Sequence, residues 1–297
     1  MKVVVSGSSG FIGKPLVDGL RSDGHHVVRL VRRPPEAADE VAYDPQRGEL
    51  DSAALTGVDA AVNLAGANAG THRWTPSYKR AIRDSRVGAT ATLARALGSL
   101  EPRPRVLVSG SAIGWYGDTG ERAVDESAPA ADSFMADVVQ AWEAATRPAE
   151  DAGLRVVHAR TGLVVGPGGG MAGRMVPLFR LGVGGRLGSG QQYWSLISLH
   201  DELRALRFLL DSDDVSGPVN LTGPEPVTNA VATAALARAV HRPAVLPVPG
   251  FALRLALGGF SAEVLVSQRI LPSRLLAGGF VFDHPDAASI MGAAVGR

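Results

Sequence analysis

The sequence predicts an α/β protein, a doubly wound parallel sheet with a smaller C-terminal α/β lobe. Three observations predict it. Short β-branched runs alternate with helical stretches through the first 165 residues, the pattern of a parallel sheet covered on both faces. The first run, Val3 to Val5, is followed by Gly7, Gly10 and Gly13 at three-residue spacing and by a helix over 11–20. From about residue 166 the chain becomes glycine-rich and then breaks into short helices. We therefore expect a sheet domain over 1–165 and a lobe over 166–297, with the strand near 219–221 returning to the sheet.

Composition narrows the partners. With 297 residues, 45% of them hydrophobic, the chain has ample material for a core. A formal net charge of +1 gives no general electrostatic attraction for nucleic acid or an acidic membrane. The absence of cysteine excludes disulfides, thiolate nucleophiles and cysteine-ligated metals. Met1-Lys2 runs directly into a core strand, and no run of about 18 apolar residues is present. The expected location is the cytoplasm, with no membrane or nucleic-acid partner.

The elements follow in order. Between a strand and a helix, the first glycine permits a tight turn, the second lets a pyrophosphate approach the backbone, and the third lets helix and strand pack closely. The helix N-terminus then offers free N–H groups to phosphates. This is a dinucleotide-binding Rossmann pattern. A second strand spans 25–31; His25 and His26 point to opposite faces there and form no metal pair. At its end an Asp or Glu would hold the ribose of NAD, but Arg32 and Arg33 stand there, placed for the 2′-phosphate of NADP. The alternative is two solvated loop arginines.

A short strand over 41–43 and a better one over 58–64 come next, the latter ending in Ala65-Gly66-Ala67, small enough for backbone to lie against a cofactor. A helix over 76–97 begins with Pro76, tolerated in a first turn. Its Lys79, Arg83 and Arg86 share one face, either solvated or turned to a phosphate-rich ligand, with Arg86 preferred. The strand over 105–108 opens through Ser109, Gly110 and Ser111 into the loop Gly114 to Asp118, where doubly wound sheets place chemistry. A helix over 133–151 and a strand over 155–159 complete the alternation. Ser198 and Asp201 look like a capping box opening a helix to 210, and a helix over 228–240 precedes a proline-punctuated link over 243–249. His158, His241 and His284 show no metal-ligand spacing, so no metal is expected.

The Gly-x-x-Gly-x-x-Gly turn, Asn63-Leu64-Ala65-Gly66, the Ser111/Tyr116-Gly117 loop and Arg160-Thr161-Gly162 resemble extended short-chain dehydrogenases/reductases. Arg73-Trp74, Ser85-Arg86, Ala141-Trp142-Glu143, Gly184-Gly185-x-x-Gly188-Ser189-Gly190, Leu271-Pro272 and Gly279-Phe280-x-Phe282 are more specific. They resemble the NADP-binding "epimerase family" branch of atypical members, which carries its own C-terminal domain of unknown function. The resemblance covers essentially the whole chain.

It implies NADP as cofactor, held by Gly7, Gly10, Phe11, Ile12, Gly13, Arg32, Arg33, Leu64, Ala65, Gly66, Arg86, Ser109, Arg160 and Val164. It also implies an oxidoreductase or sugar-nucleotide-type epimerase acting on a small polar substrate, and a homodimer paired through helices 76–97 and 133–151. Active extended members carry a Tyr-x-x-x-Lys pair. If Glu143 is the glutamate following that lysine, the pair falls on Met135 and Val139, and neither side chain moves a proton. Ser111 takes the place of the family's catalytic serine. Tyr116, on the same loop, is either a relocated proton donor or a ring packed over the nicotinamide. Asp118, Asp125 and Glu126 form an acidic loop, His200-Asp201 an acid–base candidate, and Gln191 and Trp194 candidate pocket walls. The missing pair also supports a rival reading, a non-catalytic NADP(H)-binding redox sensor.

Overall fold

Val3 and Val5 face one side of their strand and Val4 the other, and all three are fully buried, as expected of a strand covered on both faces. The computed structural model describes residues 1–296. It opens with β1 (Lys2–Ser6), β2 (His26–Val31), β3 (Glu40–Asp44), β4 (Glu49–Leu50), β5 (Ala60–Asn63), β6 (Val106–Ala112) and β7 (Arg155–Thr161). After β8 (Leu163–Gly166), β9 (Tyr193–Trp194) and β10 (Leu196–Ser198), β11 (Gly217–Leu221) returns to the main sheet, and β12 (Val227–Thr228) follows. The main sheet has eight strands in the order β11-β7-β6-β5-β1-β2-β3-β4. All neighbours are parallel except β3 and β4. The order reverses direction at β1, where β5 lies on one side and β2 on the other, so the crevice for a ligand opens above β1.

Helices α1 (Gly13–Ser22), α2 (Pro76–Gly98), α3 (Phe134–Ala144), α4 (Arg147–Asp151), α5 (Gly170–Arg180) and α6 (Leu199–Asp211) come in that order. One face of the sheet packs Val3, Val5 and Val62 against Leu16 and Leu20 of α1 and Leu206 and Leu209 of α6. The other packs Val4, Ala61 and Leu107 against Leu93 and Leu97 of α2. The expected single helix over 133–151 is broken. Ala145 and Thr146 separate α3 from α4, Thr146 Oγ1 donates to Glu143 O at 2.7 Å, and Pro148 has no N–H to continue the ladder.

The remaining helices are α7 (Asn229–Val240), α8 (Gly250–Leu257), α9 (Ser261–Leu265), α10 (Ser273–Ala277) and α11 (Ala287–Ala294). A separate apolar cluster joins α5, α7 and α11 with Trp194 and Leu196, forming the core of the lobe. Leu275 and Phe280 instead join the sheet core beside α6, so the segment over 275–280 returns to the sheet before α11 rejoins the lobe.

Candidate active site

The glycine turn is built so that no other residue fits. Gly7 has φ +74°, and a Cβ there would lie 2.6 Å from the Leu64 carbonyl carbon. A Cβ on Gly13 would lie 2.1 Å from Gly7 O. The turn is therefore pressed against the loop after β5 on one side and the first turn of α1 on the other. No side chain caps α1 at Ile12 and no acidic residue stands in its first turn, so the positive end of the helix is left for an anion. Phe11 packs on the start of α5. Its ring is so close to Gly169 and Gly170 that a Cβ on Gly169 would lie 2.3 Å from it. Ile12 is half-buried against the sheet core.

The two arginines after β2 differ. Arg33 closes a fork on Glu40, Nη1 to Oε2 and Nη2 to Oε1, each at 2.9 Å. Glu40 also accepts the Glu36 N–H at 2.8 Å and sits 3.1 Å from Arg29, and these donors lower its pKa. Arg32 is exposed and makes no ion pair among the described residues. Of the two positions expected to meet a 2′-phosphate, one guanidinium is already held and one is free.

The loop after β5 explains the Ser85-Arg86 pair. Ser85 Oγ accepts the Ala67 N–H at 2.9 Å, and Arg86 Nη1 donates to Ala67 O at 2.9 Å. Both residues thus hold the backbone that follows Leu64, Ala65 and Gly66. Arg86 has no carboxylate partner among the described residues and lies 5.1 Å from the Trp142 ring. Its Nε is buried and unpartnered, and burial pushes the guanidinium down to about 10. Below the loop a buried relay runs from Ser6 to Asn63, from Asn63 to Thr90 at 2.7 Å, and from Trp142 to Thr90 at 2.9 Å. Further out, Arg174 Nη2 donates to Gly70 O at 2.7 Å and Arg73 Nη2 to Leu255 O at 2.6 Å, tying this loop to the lobe.

At the ends of β6 and β7 lies a second buried network. Arg160 forks onto Glu143, Nε to Oε1 at 2.8 Å and Nη2 to Oε2 at 2.9 Å. Ser111 Oγ donates to Glu143 Oε1 at 2.6 Å. Arg160 Nη1 donates to the Tyr116 hydroxyl at 3.0 Å, and that hydroxyl donates to Asn220 Oδ1 at 2.7 Å. The guanidinium also stacks 3.8 Å from the Trp115 ring centroid. Burial raises the Tyr116 pKa, and Arg160 only partly opposes it. The structure thus joins Ser111, Tyr116 and Arg160, but it directs the Arg160 side chain, expected to face the cofactor, into the protein, where Glu143 neutralises it. Ser109, 1% exposed, donates weakly to Gly110 O at 3.4 Å, and Val164 is half-buried against the sheet core.

Met135 and Val139 are buried, and a Cβ on Gly114 would lie 3.1 Å from Met135 Cβ and 3.8 Å from Val139 Cγ2. The two positions to which the resemblance assigns the Tyr-x-x-x-Lys pair are apolar packing. Trp194, a candidate pocket wall, sits in the core of the lobe, while Gln191 is exposed. Glu126 of the acidic loop accepts the Asn220 N–H at 2.9 Å, tying that loop to β11, and Asp118 and Asp125 accept backbone N–H groups of their own turns. His200 pairs with Asp283 at 2.7 Å, while Asp201 accepts the N–H groups of Asp283 and His284. His200, Asp201 and Asp283 are close enough to share a metal ion, yet Arg204 Nη1 already takes Asp201 at 3.0 Å and Asp283 at 3.3 Å.

Sequence reasoning missed Glu143, Asn220 and Glu202 as site residues. A signal for Glu143 was present: an arginine at the end of a strand covered on both faces needs a buried carboxylate when its side chain turns inward. Glu202, in the first turn of α6, is fully buried and accepts from Thr161 Oγ1 at 2.9 Å.

Comparison with known proteins bears on the family and the fold. Residues 3–222 match the model of the NAD dependent epimerase/dehydratase family, and residues 248–293 match a domain of unknown function, DUF1731. An epimerase family protein of Mycobacterium bovis is 48% identical over 296 residues, covering 99% of this chain and 98% of that protein. The crystal structure of human epimerase family protein SDR39U1 with NADPH superposes with a TM-score of 0.92 at 32% identity, covering all of both chains. A structure described as the nucleoside-diphosphate sugar epimerase of Corynebacterium glutamicum gives 0.80 at 33% identity, covering 99% of this chain and 58% of that one.

Proposed function

Since this chain belongs to the NAD dependent epimerase/dehydratase family, we propose that it binds NADP(H) and carries out a redox reaction on a small polar substrate. The observation that carries the reading is the cradle at Gly7 and Gly13. Backbone packed so closely that neither residue has room for a Cβ delivers the chain to an uncapped helix N-terminus, and an exposed Arg32 stands beyond β2. The residues fit the cofactor. Gly10 would admit the pyrophosphate on a turn that Gly7 and Gly13 make possible, Arg32 would meet the 2′-phosphate, and the backbone of Leu64 to Gly66, held by Ser85 and Arg86, would flank the nucleotide. When bound, the nicotinamide supplies hydride chemistry.

The chain's own part is positioning and the proton. Arg160 and Glu143 fix the ends of β6 and β7, and Ser111 is oriented by Glu143. In our reading Tyr116 gives its hydroxyl proton to the substrate oxygen by exchanging its bond to Asn220 for one to the substrate. The NADPH-bound human relative supports NADP over NAD, and the Corynebacterium protein supports a sugar-like substrate.

One observation favours a second reading. Met135 and Val139 fill the family's acid–base positions with buried carbon, as a non-catalytic cofactor sensor would permit. A fluorescence titration with NADPH, followed by a panel of carbonyl and nucleotide-sugar compounds in the same cuvette, separates the two. Substrate-dependent NADPH oxidation that is lost in Tyr116→Phe supports the enzyme. Tight binding with no oxidation across the panel supports the sensor, and no binding of NADPH refutes both.

A further inference from the structure

The net charge of +1 averages over an uneven chain. From residue 152 to 200 and again from 226 to 262 there is no aspartate or glutamate, while both stretches carry arginines. Folding brings the two together on the lobe, at the end of α5. Arg242 Nε donates to Arg180 O at 3.3 Å, the Leu246 N–H to Gly184 O at 3.4 Å and the Val248 N–H to Arg186 O at 2.9 Å. Arg186, Arg238 and Arg242 line one hollow together with Val245. Arg180, Arg186, Arg238, Arg242 and Arg254 are all exposed and form no ion pair among the described residues. Three of these, Arg180, Arg238 and Arg254, stand in the last turns of α5, α7 and α8, where the helix dipole favours a cation. That accounts for each singly. It accounts neither for Arg186 nor for the lack of any acid between them.

The same two stretches hold the exposed apolar side chains. Among the described residues, eight of the ten large apolar side chains that stand exposed belong to them. Leu181, just past α5, is 76% exposed, and Val245 in the link is 70% exposed. Phe251 and Leu255, one turn apart on one face of α8, are 69% and 74% exposed. Single exposed apolar residues are ordinary, but a group of them among unpaired cations marks a contact surface. Charge decides what covers it. In a two-fold dimer this face would meet itself and set the arginines against their own copies. Nucleic acid would pair with the arginines and leave Phe251 and Leu255 in water. An anionic bilayer answers both, its phosphates taking the guanidinium groups and its acyl boundary the apolar side chains.

We infer that this end of the lobe docks the protein on the surface of a membrane that contains anionic phospholipid. No described helix is long and apolar enough to cross a bilayer, and α8, with eight residues, suits lying in its surface. Helix α5 starts against Phe11 beside the glycine turn and ends at this surface, 11 residues or about 16 Å further on, so the docked face stands clear of the nucleotide cradle.

The test is flotation of the full chain with vesicles of phosphatidylcholine alone or of equimolar phosphatidylcholine and phosphatidylglycerol. The protein is expected to float with the anionic vesicles, not with the neutral ones, and less as salt rises. Arg186→Gln combined with Arg238→Gln and Arg242→Gln should weaken vesicle binding by about tenfold or more, as should Phe251→Ser with Leu255→Ser. All five side chains are exposed, so both variants should unfold in urea as the parent does. Equal flotation with both kinds of vesicle, or none with either, overturns the proposal. Binding that is indifferent to the three arginines overturns it as well, and binding that survives the loss of Phe251 and Leu255 reduces it to adsorption by charge and refutes docking. Sedimentation of the free protein as a dimer that Phe251→Ser with Leu255→Ser dissociates would make a second copy the occupant. Vesicle binding is read without NADPH, so the cofactor reading stands or falls separately.

Discussion

Glu202 is a carboxyl that the fold holds in its neutral form. It is fully buried, its Oε1 accepts from Thr161, and its Oε2 has no partner. Burial pushes it up to about 8, and the single hydrogen bond from Thr161 pulls back only in part. In the unfolded chain the same group titrates near its ordinary value of 4.5. Between those values the folded protein keeps a proton that the unfolded chain has lost. Stability from this group is therefore fully present below the unfolded pKa and is lost as pH rises through the folded one. The slope approaches about 1.4 kcal/mol per pH unit, so from pH 5 to pH 8 the loss is roughly 3–4 kcal/mol. Glu202→Gln keeps the shape and the acceptor for Thr161 but does not titrate. Urea unfolding of both proteins at several pH values isolates the term, because all other groups are shared. The expected result is a gap that widens with pH in favour of the glutamine variant. Curves that stay parallel across this range would refute a neutral buried Glu202.

Two further substitutions test the site. Arg32→Ala should weaken NADPH roughly 10- to 100-fold with little effect on NADH, whereas Arg33→Ala, whose guanidinium is held by Glu40, should change either by no more than about threefold; paired fluorescence titrations decide, and equal losses of NADPH and NADH would sink the 2′-phosphate assignment. Glu143→Gln leaves the Arg160 charge buried without its partner and should cost about 3–5 kcal/mol in urea unfolding, while Arg160→Met combined with Glu143→Leu should recover most of it; a loss below about 1 kcal/mol in the single variant would show that the pair is not what holds these strand ends together.

The parts of the fold that were legible carry their signal locally. Val3 to Val5 and the spaced glycines place β1, the turn and α1 within a few residues, and Pro76 marks the start of α2, where Thr75 caps it. Helix α5 was not anticipated, because Gly168 to Gly170 at its start and Pro177 within it are the residues that ordinarily argue against a helix. The polar networks were illegible for a different reason. Tyr116 meets Asn220 across 104 residues, and Thr161 meets Glu202 across 41. The sheet order, which brings β11 beside β7 and β7 beside β6, makes Tyr116 and Asn220 neighbours, and the packing of α6 against the sheet brings Glu202 to Thr161.

The same network bears on the direction of any reaction at Tyr116. In the extended dehydrogenases that this chain resembles, a lysine near the tyrosine lowers its pKa and lets it act as a base. If Glu143 is the glutamate that follows that lysine, the lysine position is Val139, and the cation beside the phenol is instead Arg160, supplied by β7. Arg160 is not a free charge. Glu143 takes two of its nitrogens, so the field it exerts on the phenol is largely cancelled, and desolvation prevails. A phenol whose pKa is raised stays protonated across the working pH range, which suits donation and opposes abstraction. Epimerisation by oxidation and return needs the same group to act first as a base, whereas carbonyl reduction needs only a donor. If Tyr116 is the proton source, the buried Glu143–Arg160 pair therefore favours reduction.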